Sequence, residues 1–231
     1  MNTLSLNLRR MAYDLGQKAE IAHWGDLIKK TYGLVPTYDE GVHDLHWLLR
    51  EIYDILKPVP VDLVKACNLK YLVLKSDMGR SRSFTPNHGY FVGNQVALNA
   101  DIFYHPDQPE DFSDNQGHFI SRAKQTLLHE IGHAFDSQQG DLSLKGDWMD
   151  LSGWSKDPKP GLQRLSIKEP GTPEVIGEMY FDPEAGFTRF YAKRNSWDDF
   201  ADSFAFYVAG MKSKVPENKK EYFDRLLKQY Y

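Results

Sequence analysis

Cysteine is almost absent from the sequence, because Cys67 is the single cysteine among 231 residues. No intrachain disulfide can form and no cluster of thiolates can bind a metal ion, so any metal must take its ligands from His, Asp and Glu side chains. The sequence also lacks the roughly 20 consecutive apolar residues of a membrane helix and the apolar block of a signal peptide. We therefore expect a cytoplasmic protein, or one exported by a route that needs no signal peptide.

An excess of positive charge is absent as well. The chain has 28 Lys and Arg against 32 Asp and Glu, a net charge of −4, and no long basic run. The usual electrostatic signature of nucleic-acid binding is missing, and we expect neither nucleic acid nor a membrane as a partner. Hydrophobic residues make up 41% of the sequence, which is enough for a buried core. No repeat or Gly/Ser linker divides the chain, so we predict one domain over residues 1–231, in which residues 1–40 are a helical N-terminal portion of undetermined role.

Apolar spacing and helix breakers predict the elements of the chain. Helices are expected over residues 4–32, 44–57, 114–138, about 195–211 and 216–231, and strands over 69–74 and 90–99, the second turning at Gly93-Asn94. In the second helix the apolar residues recur at helical spacing: Leu45, Leu48, Leu49, Ile52, Ile55 and Leu56. The stretch over 141–182 is rich in Gly, Pro and Trp, has no clear period and is expected to be irregular.

The long predicted helix carries His129-Glu130-Ile131-Gly132-His133, an HExxH pattern. Residues at i and i+4 share a helix face, so both imidazoles can reach one ion at the roughly 2.0–2.1 Å of a Zn–N bond. Glu130 then lies beside the ion and can accept a proton from the attacking water, which is the general-base role of this glutamate in metallopeptidases. The alternative is that these side chains simply face solvent. Gly132 in mid-helix argues against it, because a glycine there needs a reason such as close approach by another element.

A site with three protein ligands needs one more carboxylate or histidine, and the helix that starts at Asn195 offers several aspartates. Asp198 and Asp202 are i,i+4 neighbours, so Asp198 can be the third ligand while Asp202, one turn deeper, accepts an imidazole N–H. Asp199 points about 100° away from Asp198. The alternative is that acidic residues only favour the positive end of the helix dipole, which suits Asp198 and Asp199 better than Asp202. Three other histidines are expected to lie on the surface: His88, His105 and His118.

The segment from Tyr191 through Asp198-Asp199-Phe200-Ala201-Asp202, downstream of HExxH, resembles the catalytic domain of anthrax lethal factor and its relatives, including the Pro-Pro endopeptidases. The resemblance implies that His129 and His133 are zinc ligands and that Glu130 is the general base. It also implies that Asp198 is the third ligand, Asp202 its supporting residue and Tyr191 a catalytic tyrosine. The family has glutamates where Asp198 and Asp202 stand. An aspartate is one methylene shorter, so its helix must approach more closely, or another group must complete the site.

The residues and the resemblance together predict an α+β, zincin-like metallopeptidase domain, with a small mixed sheet packed on the HExxH helix and N-terminal helices. The expected function is zinc-dependent hydrolysis of peptide bonds in a peptide or protein substrate. The substrate is expected to bind along an exposed sheet edge, with the strand that ends at Leu98 as the candidate. The alternative is a catalytically weak or inactive module of the same fold that binds peptides or regulates another process.

Overall fold

The computed structural model describes residues 3–78, 88–104, 113, 119–168 and 175–231. The described residues form a mixed α+β arrangement, as predicted. None of the helices among them is long and apolar enough to cross a membrane. The elements are α1 (Thr3–Tyr32), β1 (Val35–Tyr38), α2 (Leu45–Leu56), α3 (Val61–Ala66), β2 (Tyr71–Lys75), β3 (Gly89–Val92), β4 (Gln95–Asn99), α4 (Arg122–Gln138), α5 (Gly146–Ser152), β5 (Trp154–Ser155), β6 (Gln163–Lys168), β7 (Val175–Phe181), α6 (Ser196–Val208) and α7 (Glu217–Leu226).

The first sheet has four strands in the order β1-β2-β4-β3. Strand β2 is parallel to both β1 and β4, and β3 returns antiparallel to β4 through the turn at Gly93-Asn94. The predicted mixed sheet and its hairpin are therefore confirmed. The strand that was expected to end at Leu98 and to bind the substrate is β4, which ends at Asn99. It is paired with β2 on one side and β3 on the other, so it is not an edge strand. That part of the sequence prediction is wrong, because sheet order depends on which strands pair and not on the sequence of any one strand.

The main core lies between the sheet and the helices. All six apolar residues that the sequence placed on one face of α2 are buried in it. Helix α4 contacts strands β3 and β4 on one side and α6 on the other. Its polar residues are therefore buried together with its apolar ones: Gln125, Thr126, His129, Glu130 and Asp136. A helix enclosed in this way can hold charged groups in a fixed arrangement, provided that each has a partner.

Helix α4 begins later than the sequence predicts. Ser121 is its N-cap, and the Ser121 hydroxyl accepts a hydrogen bond from the backbone N–H of Lys124 at 3.1 Å. Residues 119–121 precede the helix, and Phe119 forms an isolated β-bridge with Ser113. The predicted start near residue 114 is therefore wrong. A serine in this position satisfies an N–H group that the helix itself leaves free, and this local bond sets the boundary.

A second sheet occupies the stretch that the sequence analysis expected to be irregular. Its strands have the antiparallel order β5-β7-β6. Leu165 and Ile167 alternate along β6, and Met179 and Phe181 along β7, and all four belong to a separate small core around Trp154. These residues alternate with a period of two, but the strands are short and the segments between them contain Gly and Pro.

A buried ion pair joins the C-terminal helix to the rest of this region. Lys219 of α7 donates to Asp199 of α6 at 2.7 and 2.9 Å and to the carbonyl of Gly186 at 2.8 Å. The indole N–H of Trp154 donates to the same carboxylate at 3.0 Å. Asp199 thus faces away from Asp198, as helix geometry predicted, and fixes α6 from its other side.

Candidate metal centre

The HExxH residues share one face of α4. The rings of His129 and His133 are 4.5 Å apart between their centroids and meet at 88°, as side chains one turn apart can do. His129 and Glu130 are buried and His133 is half-buried. The two imidazoles therefore lie side by side, with the carboxylate of Glu130 on the neighbouring part of the helix surface.

Asp198 is brought to these histidines by the start of α6. Its Oδ1 lies 3.4 Å from His133 Nε2 and 3.7 Å from His129 Nε2. One ligand atom from each of the three residues can be chosen so that all three lie within 4.8 Å of one another. Two atoms that are each bound at about 2.0–2.1 Å to one tetrahedral ion lie roughly 3.4 Å apart. The two distances from Asp198 Oδ1 are close to this value, so the two histidines and the aspartate are grouped as candidate metal ligands.

Asn195 orients the carboxylate of Asp198. As the N-cap of α6, its side-chain oxygen accepts the backbone N–H of Asp198 at 2.7 Å, and its Nδ2 donates to Asp198 Oδ2 at 2.8 Å. One carboxylate oxygen is thus occupied by the cap, and the other faces the histidines. The hydrogen bonds and charges of His129 and His133 hold the pKa of Asp198 well below its usual range although burial opposes this, so the carboxylate is charged at neutral pH.

Asp202 lies one turn further along α6 and contacts the Nδ1 side of the His129 ring. Its Oδ1 is 2.7 Å from His129 Nδ1 and accepts from Gln125 Nε2 at 2.8 Å. Burial would raise the pKa of Asp202, but Arg189 and His129 lower it, so the carboxylate is charged and can only accept. Nδ1 of His129 therefore donates to Asp202, and Nε2 of the same ring faces Asp198 at 3.7 Å. Burial opposes a charge on His129, but Asp202, Asp198 and Glu130 raise its pKa to about 10. The structure thus places Asp198 next to the Nε2 atoms of both histidines, and Asp202 next to the Nδ1 atom of His129.

Tyr191 lies next to His129, with its ring centroid 5.6 Å from that of the imidazole. It belongs to a 3₁₀ turn, Phe190–Arg194, that leads into α6. Burial, together with the charge of Asp198, raises the pKa of Tyr191 above its ordinary value. The phenol therefore keeps its proton at neutral pH and can act as a hydrogen-bond donor. The sequence-predicted site residues all lie in this one cluster.

Glu130 faces β3, which is an edge strand of the first sheet within the part of the chain that the structure describes. A Cβ added at Gly89, the first residue of that strand, would lie only 3.0 Å from Glu130 Oε1 and 2.9 Å from Thr126 Cγ2. Burial raises the pKa of Glu130 above its ordinary value despite the opposing effects of His129 and His133. Glycine at position 89 thus leaves room for a carboxylate of raised basicity between the edge strand and the histidines.

Three residues of the cluster were missed by the sequence analysis as site residues: Gln125, Arg189 and Asn195. Gln125 lies one turn before His129 on α4, so helix geometry could have found it. Asn195 was predicted only as a cap. Arg189 donates to Asp202 from a segment without regular structure, and nothing in the spacing of the sequence identifies it.

Among the described residues, the histidines other than His129 and His133 are not part of the group of candidate metal ligands. His88 directly precedes β3 and is half-buried, and its Nδ1 atom is enclosed without a hydrogen-bond partner. His88 is thus partly covered, with one enclosed ring nitrogen, and it is not among the grouped ligand candidates. His105 and His118 lie outside the described residues.

Comparisons with known proteins give distant structural similarity and no match in sequence. No protein-family model matches the chain, and no curated protein matches it. Among solved structures, the chain is similar to a candidate zinc-binding metallo-peptidase from Bacteroides caccae, with 15% sequence identity and a TM-score of 0.41 over 93% of this chain and 79% of that one. A similarity at this level carries no argument about chemistry, so the function has to be argued from the geometry of the cluster itself.

Proposed function

We propose that this chain is a zinc-dependent endopeptidase with a zincin-like fold, whose site is similar to that of the lethal factor family. The observation that carries the proposal is the position of Asp198. Helix α6 brings its carboxylate to the Nε2 atoms of both HExxH histidines, and Glu130 lies beside them. A chance HExxH pattern on a surface helix would not have a third ligand in place.

The residues fit zinc by the chemistry of their donors. Two neutral imidazoles and one carboxylate are the ligand types of catalytic zinc sites, which keep one position open. The Nδ1 atom of His129 is hydrogen-bonded to Asp202. A carboxylate in this position orients an imidazole that binds a metal ion through its other nitrogen. When bound, zinc acts as a Lewis acid that polarises the scissile carbonyl and lowers the pKa of a water molecule.

Glu130 is the proposed general base. Its burial raises the pKa toward the range in which a carboxylate both accepts a proton and returns it. In the proposed reaction Glu130 removes a proton from the attacking water and delivers it to the nitrogen of the leaving amine. Tyr191 is the proposed donor to the developing oxyanion, because its hydroxyl stays protonated beside His129.

The proposed substrate is a peptide or protein segment bound in an extended form along β3. This strand is an outer strand of the first sheet and starts beside Glu130. Pairing with an edge strand uses the peptide backbone, so it accepts many sequences while side-chain contacts select among them. An extended segment on β3 would carry its backbone past Glu130 and the histidines.

The proposal is tested by substituting the base while keeping the ligands. In Glu130→Gln the amide cannot accept a proton, so we expect bound zinc to remain at about one ion per chain while peptide hydrolysis falls at least about 10²-fold. Metal analysis and digestion of a peptide library give the two readouts. Glu221→Gln, at an exposed position of α7, is the control and should be unchanged in both.

Two other results would contradict the proposal in different ways. Undiminished hydrolysis by Glu130→Gln would remove Glu130 as the base. Zinc binding by a wild-type protein that cleaves no peptide in the library would support the alternative, a module of this fold that binds peptides or regulates another process without turnover.

A further inference from the structure

Two guanidinium groups lie over the ring of Tyr191. The Cζ atom of Arg189 is 4.8 Å from the ring centroid and that of Arg194 is 4.6 Å from it. Each arginine also reaches one of the two aspartates of the site, Arg189 reaching Asp202 and Arg194 reaching Asp198. The tyrosine is thus connected to both carboxylates through cationic neighbours.

The two connections differ greatly in strength. Arg189 donates to Asp202 twice, through Nε to Oδ2 and through a terminal nitrogen to Oδ1, both at 2.7 Å. Its side chain is 14% exposed and that of Asp202 is fully buried. Arg194 is 58% exposed, and its Nε lies 4.0 Å from Asp198. A bidentate, buried pair holds a fixed geometry, whereas an exposed contact at this distance contributes little.

The contacts of Arg189 form one continuous path across the site. The path runs from the ring of Tyr191 to the guanidinium, from there to the carboxylate of Asp202, and from Asp202 to Nδ1 of His129. Without Arg189 the carboxylate of Asp202 would lose both donors that fix its plane from the side of the 3₁₀ turn. The guanidinium therefore fixes the orientation of a carboxylate that in turn orients an imidazole.

We propose that Arg189 is a positioning residue that holds His129, through Asp202, and the ring of Tyr191 in one arrangement, an inference that rests on the proposed function of the site. Lysine cannot replace it fully, because an ammonium group makes neither the bidentate contact nor the planar stacking contact. Arg194 touches the same ring without this anchoring, so it is the matched comparison.

The first test is a double-mutant cycle on zinc affinity, measured by competition with a chromophoric chelator and without substrate. We expect Arg189→Gln to weaken zinc binding by about 10- to 100-fold and Arg189→Lys by less, as for other groups that orient a metal ligand. In an Asp202→Asn background, Arg189→Gln should cause little further loss of zinc affinity, because Arg189 is connected to His129 through the carboxylate of Asp202. Arg194→Gln should change the affinity by at most about fivefold.

The double variant Arg189→Gln with Asp202→Asn also controls for folding, because it removes the carboxylate of Asp202 together with the guanidinium that pairs with it. Thermal unfolding of each variant separates a structural role from positioning. If Arg189 only stabilised the fold, Arg189→Gln would lower the melting temperature while the zinc affinity of the folded protein stayed unchanged.

The kinetic test uses zinc-saturated protein and a cleaved peptide. We expect Arg189→Gln to lower kcat more than it changes KM, because a displaced Tyr191 affects the transition state, and to add little when combined with Tyr191→Phe. Zinc affinity within about twofold of wild type in Arg189→Gln, or full additivity with Asp202→Asn, would overturn the inference while leaving the proposed function standing. A wild-type protein that binds no zinc would overturn both.

Discussion

At the scale of single residues, the site depends on the contacts of the two oxygens of the Asp198 carboxylate. Its Oδ2 accepts a hydrogen bond from Nδ2 of Asn195, and its Oδ1 faces the Nε2 atoms of His133 and His129. The cap of α6 therefore does two things at once: it starts the helix and it fixes the plane of the carboxylate. The short side chain of Asp198 is thereby held with one oxygen toward the two histidines.

This arrangement predicts that Asp198→Glu, the substitution toward the family pattern, weakens the site. The added methylene moves the carboxylate by about 1.5 Å, away from Asn195 and past the position from which it faces the histidines. We expect zinc affinity to fall at least about tenfold, measured by chelator competition. Asp150→Glu, at an exposed position of α5, should have no effect. Equal or tighter zinc binding by Asp198→Glu would show that α6 has room for the longer side chain.

The candidate site residues that sequence reasoning identifies share one property: their relative positions are set by a single helix or by spacing along the chain. The shared face of His129 and His133, and that of Asp198 and Asp202, follow from i,i+4 geometry, and Glu130 is the direct neighbour of His129. Arg189 could not be found, because its contact with Asp202 depends on the path of an irregular segment. Only the folded chain shows that the two residues meet.

At the scale of elements, the site requires close contact between α4 and α6. A Cβ added at Gly132 would lie 3.1 Å from the Ala201 Cα and 3.2 Å from the Ala201 carbonyl oxygen. These are backbone atoms, which cannot move aside as a flexible side chain can. The glycine in mid-helix, which the sequence analysis linked to close approach by another element, therefore allows α6 to come near enough for an aspartate to reach the histidines.

Gly132→Ala is predicted to be destabilising for this reason. Alanine is favoured over glycine within a helix by about 1 kcal/mol, but forcing a methyl group against a packed backbone costs about 1–3 kcal/mol. We expect a net loss, seen as a melting temperature lower by a few degrees, together with weaker zinc binding because α6 is displaced. Gly25→Ala in α1 is the matched control: apart from the neighbouring residues and backbone of α1 itself, no described atom lies within 4 Å of the added Cβ, so the melting temperature should rise. A rise in both variants would show that α4 and α6 are not tightly packed.

Element boundaries show where sequence patterns stop being informative. The face of α2 was predicted residue by residue, because all of its apolar positions face the same core. The start of α4 was misplaced, since one serine hydroxyl decides it. The second sheet was missed, because its short strands gain their stability from packing around Trp154, which the sequence does not reveal.

At the scale of the whole molecule, the cluster joins parts of the chain that are far apart in sequence. His129 and His133 come from α4, which packs on the first sheet, and Asp198 comes from α6, which Asp199 and Lys219 connect to α7. The same cluster concentrates the buried carboxylates of Glu130, Asp198 and Asp202 beside the two imidazoles. A cation bound between the two helices would link them and offset the negative charge of the carboxylates.

Zinc removal is therefore predicted to lower the thermal stability of the whole protein. A ligand that binds only the folded state stabilises it by RT ln(1 + [L]/Kd), about 2.7 kcal/mol when free zinc is 100 times Kd. For a chain of this size such a change corresponds to roughly 5–10 °C in melting temperature. We expect this decrease on adding a strong chelator, its reversal on adding excess zinc, and no response in His133→Ala, which has lost a ligand. A melting temperature of wild-type protein that is the same with zinc and with chelator would mean that the three residues do not form a metal site in solution, however well their spacing fits one.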